Sequence, residues 1–244
     1  LSICHSLIHP EKTPTNSPYK HLAGVGLAYL IATELLKTIG SNIPCNSLDY
    51  FCIGTVADMA PLKGANRELL KVGLANLHNS NSKALKELFK SIGLTKRKIK
   101  SEDIAYKIAP RINAIGRISE PSILIKFFST TEQSKLKEQL HSIENINSER
   151  KSLTSNTEKE AILLLENQYN SQNLFLLIKN KKWHPGIIGL IASKILEKYN
   201  KPVAVLTEIK PNIYRASARA PKGFNLIHSL EKCHDLLQSY GGHK

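Results

Sequence analysis

The 244 residues, 41% of them hydrophobic and with only 13 Gly and 11 Pro, exclude a disordered chain and suffice for one large or two modest globular domains. No apolar run approaches the roughly 18 residues of a membrane span, and no cationic start with an apolar core and cleavage site marks a secretory signal, so the chain reads as soluble, without a membrane partner, and its four cysteines without disulfide spacing fit a reducing cytoplasm. The formal charge of +14, from 34 Lys and Arg against 20 Asp and Glu, either coats a solvated surface or attracts a polyanion.

In chain order, "LAGVGLAYLIATELLKTIG" has helical apolar spacing and predicts a helix from about Leu22 to Thr38. "LDYFCIGTVADMAPL" is nearly all apolar around one acid, Asp58; its periodicity predicts burial without deciding between helix and strand. "NRELLKVGLANLHNS" and "KALKELFKSIG" read as amphipathic helices, and the basic "LTKRKIK" after them is a phosphate-backbone contact or a solvated loop. From Thr131 to about Gln168 no Gly or Pro occurs, which predicts one helix bridging two domains, or two helices broken near "SLTSNT". "NLFLLIK", "PGIIGLIASKILEKYN" and "KPVAVLT" form a β-α-β unit with a parallel pair of buried strands, "YRASAR" adds a strand, and "NLIHSLEKCHDLLQSY" predicts a helix ended by Gly241 and Gly242. The four cysteines, Cys4, Cys45, Cys52 and Cys233, lack any disulfide or zinc spacing and are expected to be small buried apolar residues.

Several side chains could carry chemistry. An acid inside an apolar run is costly to bury ionised, so Asp58 is either a metal ligand or a helix cap. Arg111 and Arg117 flank Asn113 and Gly116 in "APRINAIGRIS"; their forks suit phosphate oxygens or carboxylates. Trp183 and His184 open a helix whose N–H groups favour an anion, with packing in the core and a satisfied loop histidine as the plain alternatives. Ser217 and Arg219, two apart on a strand, put a hydroxyl and a guanidinium on one side. His243 in the terminal "GGHK" can coordinate a metal or donate to a phosphate oxygen.

Taken in order, "LAGVG", "GTVADMAPL", "APRINAIGR", "WHPGIIGLIASKI", "SARA" and "GGH" resemble the RecJ family of single-stranded-DNA-specific exonucleases, within the DHH phosphoesterase superfamily. The resemblance covers nearly the whole chain. It implies 5′-to-3′ hydrolysis of single-stranded DNA with two Mn2+ or Mg2+ ions, in repair and recombination. It implies Asp58 as a metal ligand and catalytic residue, and His243, after Gly241 and Gly242, as a catalytic group at the scissile phosphate. Ser217 and Arg219 would hold the 5′ phosphate, Arg111, Asn113 and Arg117 would line the DNA path, and the role of His184 is left open.

The family's Asp-x-Asp, further Asp and Asp-His-His do not occur, His5 and His9 do not replace them, and the OB-type domain that the resemblance implies near or beyond the C-terminal end is not read in this sequence. The chain also opens on Leu1 and stops at "GGHK". It is therefore expected to be a fragment, inactive by itself, of an active nuclease. The expected fold is α/β: a helix-rich tail of a DHH domain over 1–130, a connecting helix over 131–170, and a smaller DHH-associated α/β domain over 171–244. The alternatives are another DHH phosphoesterase acting on oligonucleotides or cyclic dinucleotides, and a non-catalytic nucleic-acid-binding protein; an Asp-His-His just upstream would separate them.

Overall fold

A computed structural model describes residues 7–95, 97–168 and 173–242. The chain divides into two compact units, 1–115 with 120–147, and 116–119 with 148–244. Among the described residues no helix is long and apolar enough to cross a membrane.

The first unit is helical. Helices α1 (Gly24–Thr38) and α2 (Ser47–Ala57) pack together, and α3 (Ala65–Asn76) packs on α2. The ambiguous apolar run is thus a helix, buried because it is apolar nearly all round: Phe51, Cys52, Ile53 and Thr55 are all in the core. The predicted burial does not extend to its end. Asp58, Met59, Pro61 and Leu62 are exposed, since the chain leaves the core in a turn once α2 stops. Helix α4 (Lys83–Ser91) begins at Ser82, whose hydroxyl accepts the Leu85 N–H at 3.3 Å, and buries Ala84, Leu85, Leu88 and Phe89.

Helix α5 (Ser101–Asp103) runs through a π-helical turn, Ile104–Ile108, into α6 (Ala109–Ile118). Pro110 has no N–H to give the ladder, and the looser turn just before it accommodates that loss. Ile104, Ile108 and Ile115 stay fully buried through it and fix this stretch to the core with Phe127 of α7 (Ser122–Ser129).

Gln133–Gln168 is a single helix, α8. Its buried positions run Leu136, Leu140, Ile143, Asn147, Thr154, Thr157, Ala161 and Leu165, a stripe at helical spacing that passes unbroken through "SLTSNT".

In the second unit, β1 (Leu176–Lys179) and β2 (Val203–Lys210) are parallel, joined by α9 (Ile188–Tyr199), and β3 (Ile213–Arg219) lies antiparallel to β2. The sheet order is β1-β2-β3. The Pro211-Asn212 hairpin works because Asn212 accepts φ +61. Ile188, Ile191, Ala192 and Ile195 of α9 meet Ile178, Val203 and Val205 of the sheet and Ala161 and Leu165 of α8. This is the expected α/β architecture: a helix-rich part and a small mixed sheet.

Three expectations need correction. β1 is not wholly buried but alternates, with Leu177 61% exposed, because helices cover only the face bearing Leu176 and Ile178. The last helix, α10, covers only Leu226–Glu231 and is followed by a 3-10 turn at His234–Leu236; α10 buries no residue, so nothing supports its extension to the glycines. Gly241 and Gly242 lack the positive φ of a helix stop. Finally, Cys45 and Cys233 are exposed while Cys52 is buried; Cys4 lies outside the described residues.

Candidate nucleic-acid interface

In the first unit Asp58 sits at the C-cap of α2, with φ −85° and ψ 0°. The Met59 N–H bonds the Val56 carbonyl at 3.0 Å and the Ala60 N–H bonds the Thr55 carbonyl at 3.1 Å, the paired closure of a Schellman turn. The left-handed residue of that turn, normally glycine, is Met59 at φ +54, which is strained and 89% exposed. Asp58 is thus a cap residue, but at the negative end of the helix dipole, where a carboxylate is disfavoured and a cation is favoured. The amide of Asn113 donates to the Ala57 carbonyl at 3.4 Å, tying α6 to the residue before Asp58.

Arg111 is engaged inside this unit. Its Nε donates to Glu144 at 2.6 Å, and its Nη1 donates at 2.6 Å to the Lys107 carbonyl, in the π turn. The plain carboxylate-pairing alternative therefore describes Arg111. Among the described residues no three His, Cys, Asp or Glu side chains cluster in a way that could hold a metal. Asp58 by itself does not fit a metal pair.

The second unit gathers the rest. Register pairs Ser217 with Val205 and Arg219 with Val203, so both side chains lie on the sheet face that α9 covers. α9 comes close there: a methyl group at Gly189 would lie 3.0 Å from Ser217 Oγ and 3.7 Å from Arg219 Nη2. Arg117 reaches the same group of residues. A methyl at Gly186 would lie 1.8 Å from the Arg117 carbonyl oxygen, so only glycine admits this contact. The half-buried Arg117 guanidinium is pushed below its usual pKa, chiefly by burial and then by the charge of Arg219. Arg150 of α8, which the sequence reading did not single out, is lowered in the same way by burial and by Arg117. The Arg219 guanidinium thus lies by Ser217 and the N-terminal end of α9, with the charge of Arg117 acting on it, a setting that favours an anion.

The loop before α9 is firmly held. Trp183 is buried, its Nε1 donates to Glu160 at 2.9 Å, and its carbonyl accepts from the Thr207 hydroxyl at 2.6 Å, so the core reading of this tryptophan holds. His184 is exposed, and its Nδ1 accepts the Gly186 N–H at 3.0 Å. That bond places the proton of the neutral ring on Nε2. Gly241 and Gly242 border a hollow lined by Asn225, Ile227, His228, Glu231 and Tyr240, with no arginine in its lining; His243 lies outside the described residues.

Comparison with known proteins agrees with this order of motifs. Residues 170–244 match the DHHA1 domain. The chain is 35% identical over 239 residues to the single-stranded-DNA-specific exonuclease RecJ of Bacillus subtilis, covering 98% of this chain and 30% of that protein. Its fold matches the crystal structure of RecJ from Thermus thermophilus in complex with Mn2+, with a TM-score of 0.83 and 30% identity over 97% of this chain and 34% of that one. The Mg2+ complex from the same source matches with a TM-score of 0.81 and 29% identity, over 96% and 35%. The chain spans about a third of the length of these proteins, and over that span its sequence and fold match those of RecJ proteins.

Proposed function

We propose that this chain supplies the strand-holding and 5′-phosphate-holding part of a RecJ-type exonuclease, an enzyme that hydrolyses single-stranded DNA from the 5′ end in the cytoplasm during repair and recombination. The observation that carries this is the group formed by Arg117, Ser217 and Arg219. The Arg219 guanidinium lies beside the Ser217 hydroxyl and the N-terminal end of α9, the charge of Arg117 acts on it, and among the described residues no carboxylate pairs with either arginine. A terminal phosphate would satisfy all of them: bidentate bonds from Arg219, a bond from Ser217, and charge from Arg117. Asn113 holds the turn of Asp58, and His184 offers Nε2–H at the edge of the loop.

In domain terms the reading is a DHH-domain part over 1–130, a connecting helix over 131–170 and the DHH-associated domain over 171–244. Asp58 can give one ligand to a Mn2+ or Mg2+ ion, and His243, after Gly241 and Gly242, would approach the scissile phosphate. Since no three His, Cys, Asp or Glu side chains gather to hold a metal ion among the described residues, the chain is expected to bind and not to cut. The test is hydrolysis of a 5′-phosphorylated, 3′-labelled single strand with Mn2+, by this chain and by the chain extended upstream. Cleavage only by the extended protein supports the reading; cleavage by this chain refutes the statement about its ligands, and cleavage by neither supports a non-catalytic binding protein.

A further inference from the structure

The basic run at 95–100 is not absorbed by the phosphate group described above. Arg97 is engaged: its guanidinium forks onto Asp103 at 2.6 and 2.5 Å and holds that carboxyl below the usual carboxylate range. Asp103 also accepts the Lys100 N–H at 3.0 Å, which fixes the entry to α5. Ile99 is 2% exposed, and the residues on either side of it, Lys98 and Lys100, are exposed. A buried anchor between two outward lysines leaves both ammonium groups in solvent, over a hollow lined by Arg97, Lys98, Lys100, Glu102 and Asp103.

The helix then enters its π turn, which carries Tyr106, 80% exposed, beside the half-exposed Lys107. A ring this exposed gains little from burial, and π turns concentrate at functional sites. An aromatic face flanked by lysines, with the neighbouring Asp103 already neutralised by Arg97, matches the composition of a single-strand contact. There, cations track phosphates and a ring stacks on an unpaired base.

We propose that residues 97–107 form a second single-strand contact, with Lys98 and Lys100 on phosphates and the Tyr106 ring on a base. The proposal rests on the single-strand-binding reading above. Its occupant is single-stranded because a base inside a duplex has no accessible face for stacking.

The test is anisotropy of a labelled oligo-dT titrated with the whole chain at several NaCl concentrations. Tyr106→Ala is expected to weaken binding about five- to a hundredfold, with the thermal melt unchanged, and Tyr106→Phe to restore it, because stacking needs the ring and not the hydroxyl. Lys98→Gln with Lys100→Gln is expected to flatten the log–log salt slope by about 1.4, two phosphates at about 0.7 each. Unchanged affinity in Tyr106→Ala, while the wild-type chain binds, overturns this contact and leaves the phosphate group standing. No binding by the wild-type chain overturns both.

Discussion

Asp49 shows how one residue ties stability to pH. It is buried in the first turn of α2, and burial raises its pKa while a hydrogen bond with Ser80 partly opposes the rise. The same burial, with the charge of Asp49, pushes the Cys52 thiol up to about 12, so that sulfur is an inert packing group. Because the folded pKa of Asp49 exceeds the unfolded one, its contribution is fully present below the unfolded pKa and is lost as pH rises through the folded value. Asp49→Asn keeps a hydrogen-bonding group and removes the titration. Thermal melts from pH 4 to pH 8 should show the wild type losing stability relative to the variant as pH rises; parallel curves would contradict this. Gly189 is a second single-residue test. Gly189→Ala puts a methyl against Ser217 Oγ and is expected to weaken binding of a 5′-phosphorylated strand more than of a 5′-hydroxyl strand. Equal weakening of the two would remove Gly189 from the phosphate group.

Among the elements, α8 decides between the two sequence readings. Its apolar stripe fades in the middle because Asn147, Thr154 and Thr157 occupy buried positions there, so a hydropathy pattern resembles a break. The absence of Gly and Pro was the sounder signal. Ser155 is exposed, and a proline there removes a helix hydrogen bond without touching the core. Ser155→Pro is expected to destabilise the chain by about 3 kcal/mol, read from denaturant unfolding; a change near zero would mean that the helix is broken at this point. The β-α-β unit was legible because strand and helix periodicities alternate cleanly there. The open face of β1 and the short α10 were not, because both depend on what each segment packs against, which local spacing does not encode. The π turn was marked only by Pro110, a signal that says where a helix is disturbed but not how.

For the molecule as a whole, the site was legible through motif order more than through residue chemistry. Arg111 and Arg117 have the same side chain six positions apart in one motif. One is engaged by Glu144 and the Lys107 carbonyl, and the other is half-buried and feels the charge of Arg219. Nothing local to the sequence separates them, because their partners come from distant segments. Arg150 carries no local signal for the same reason: it lies in a polar helical stretch without any motif, and only the fold brings its charge within reach of Arg117. The surplus of +14 becomes specific where like charges are half-buried together, and merely solubilising elsewhere.

The phosphate group carries the functional account, and its most direct test is the affinity of the chain for two strands that differ only in a 5′ phosphate or 5′ hydroxyl, measured for the wild type and for Arg219→Gln at fixed salt. The account predicts that the wild type prefers the phosphorylated strand by about ten- to a hundredfold, from charge-assisted bonds of about 1.5–3 kcal/mol, and that Arg219→Gln loses most of that preference while still binding DNA. Equal affinity of the wild-type chain for the two strands would contradict it.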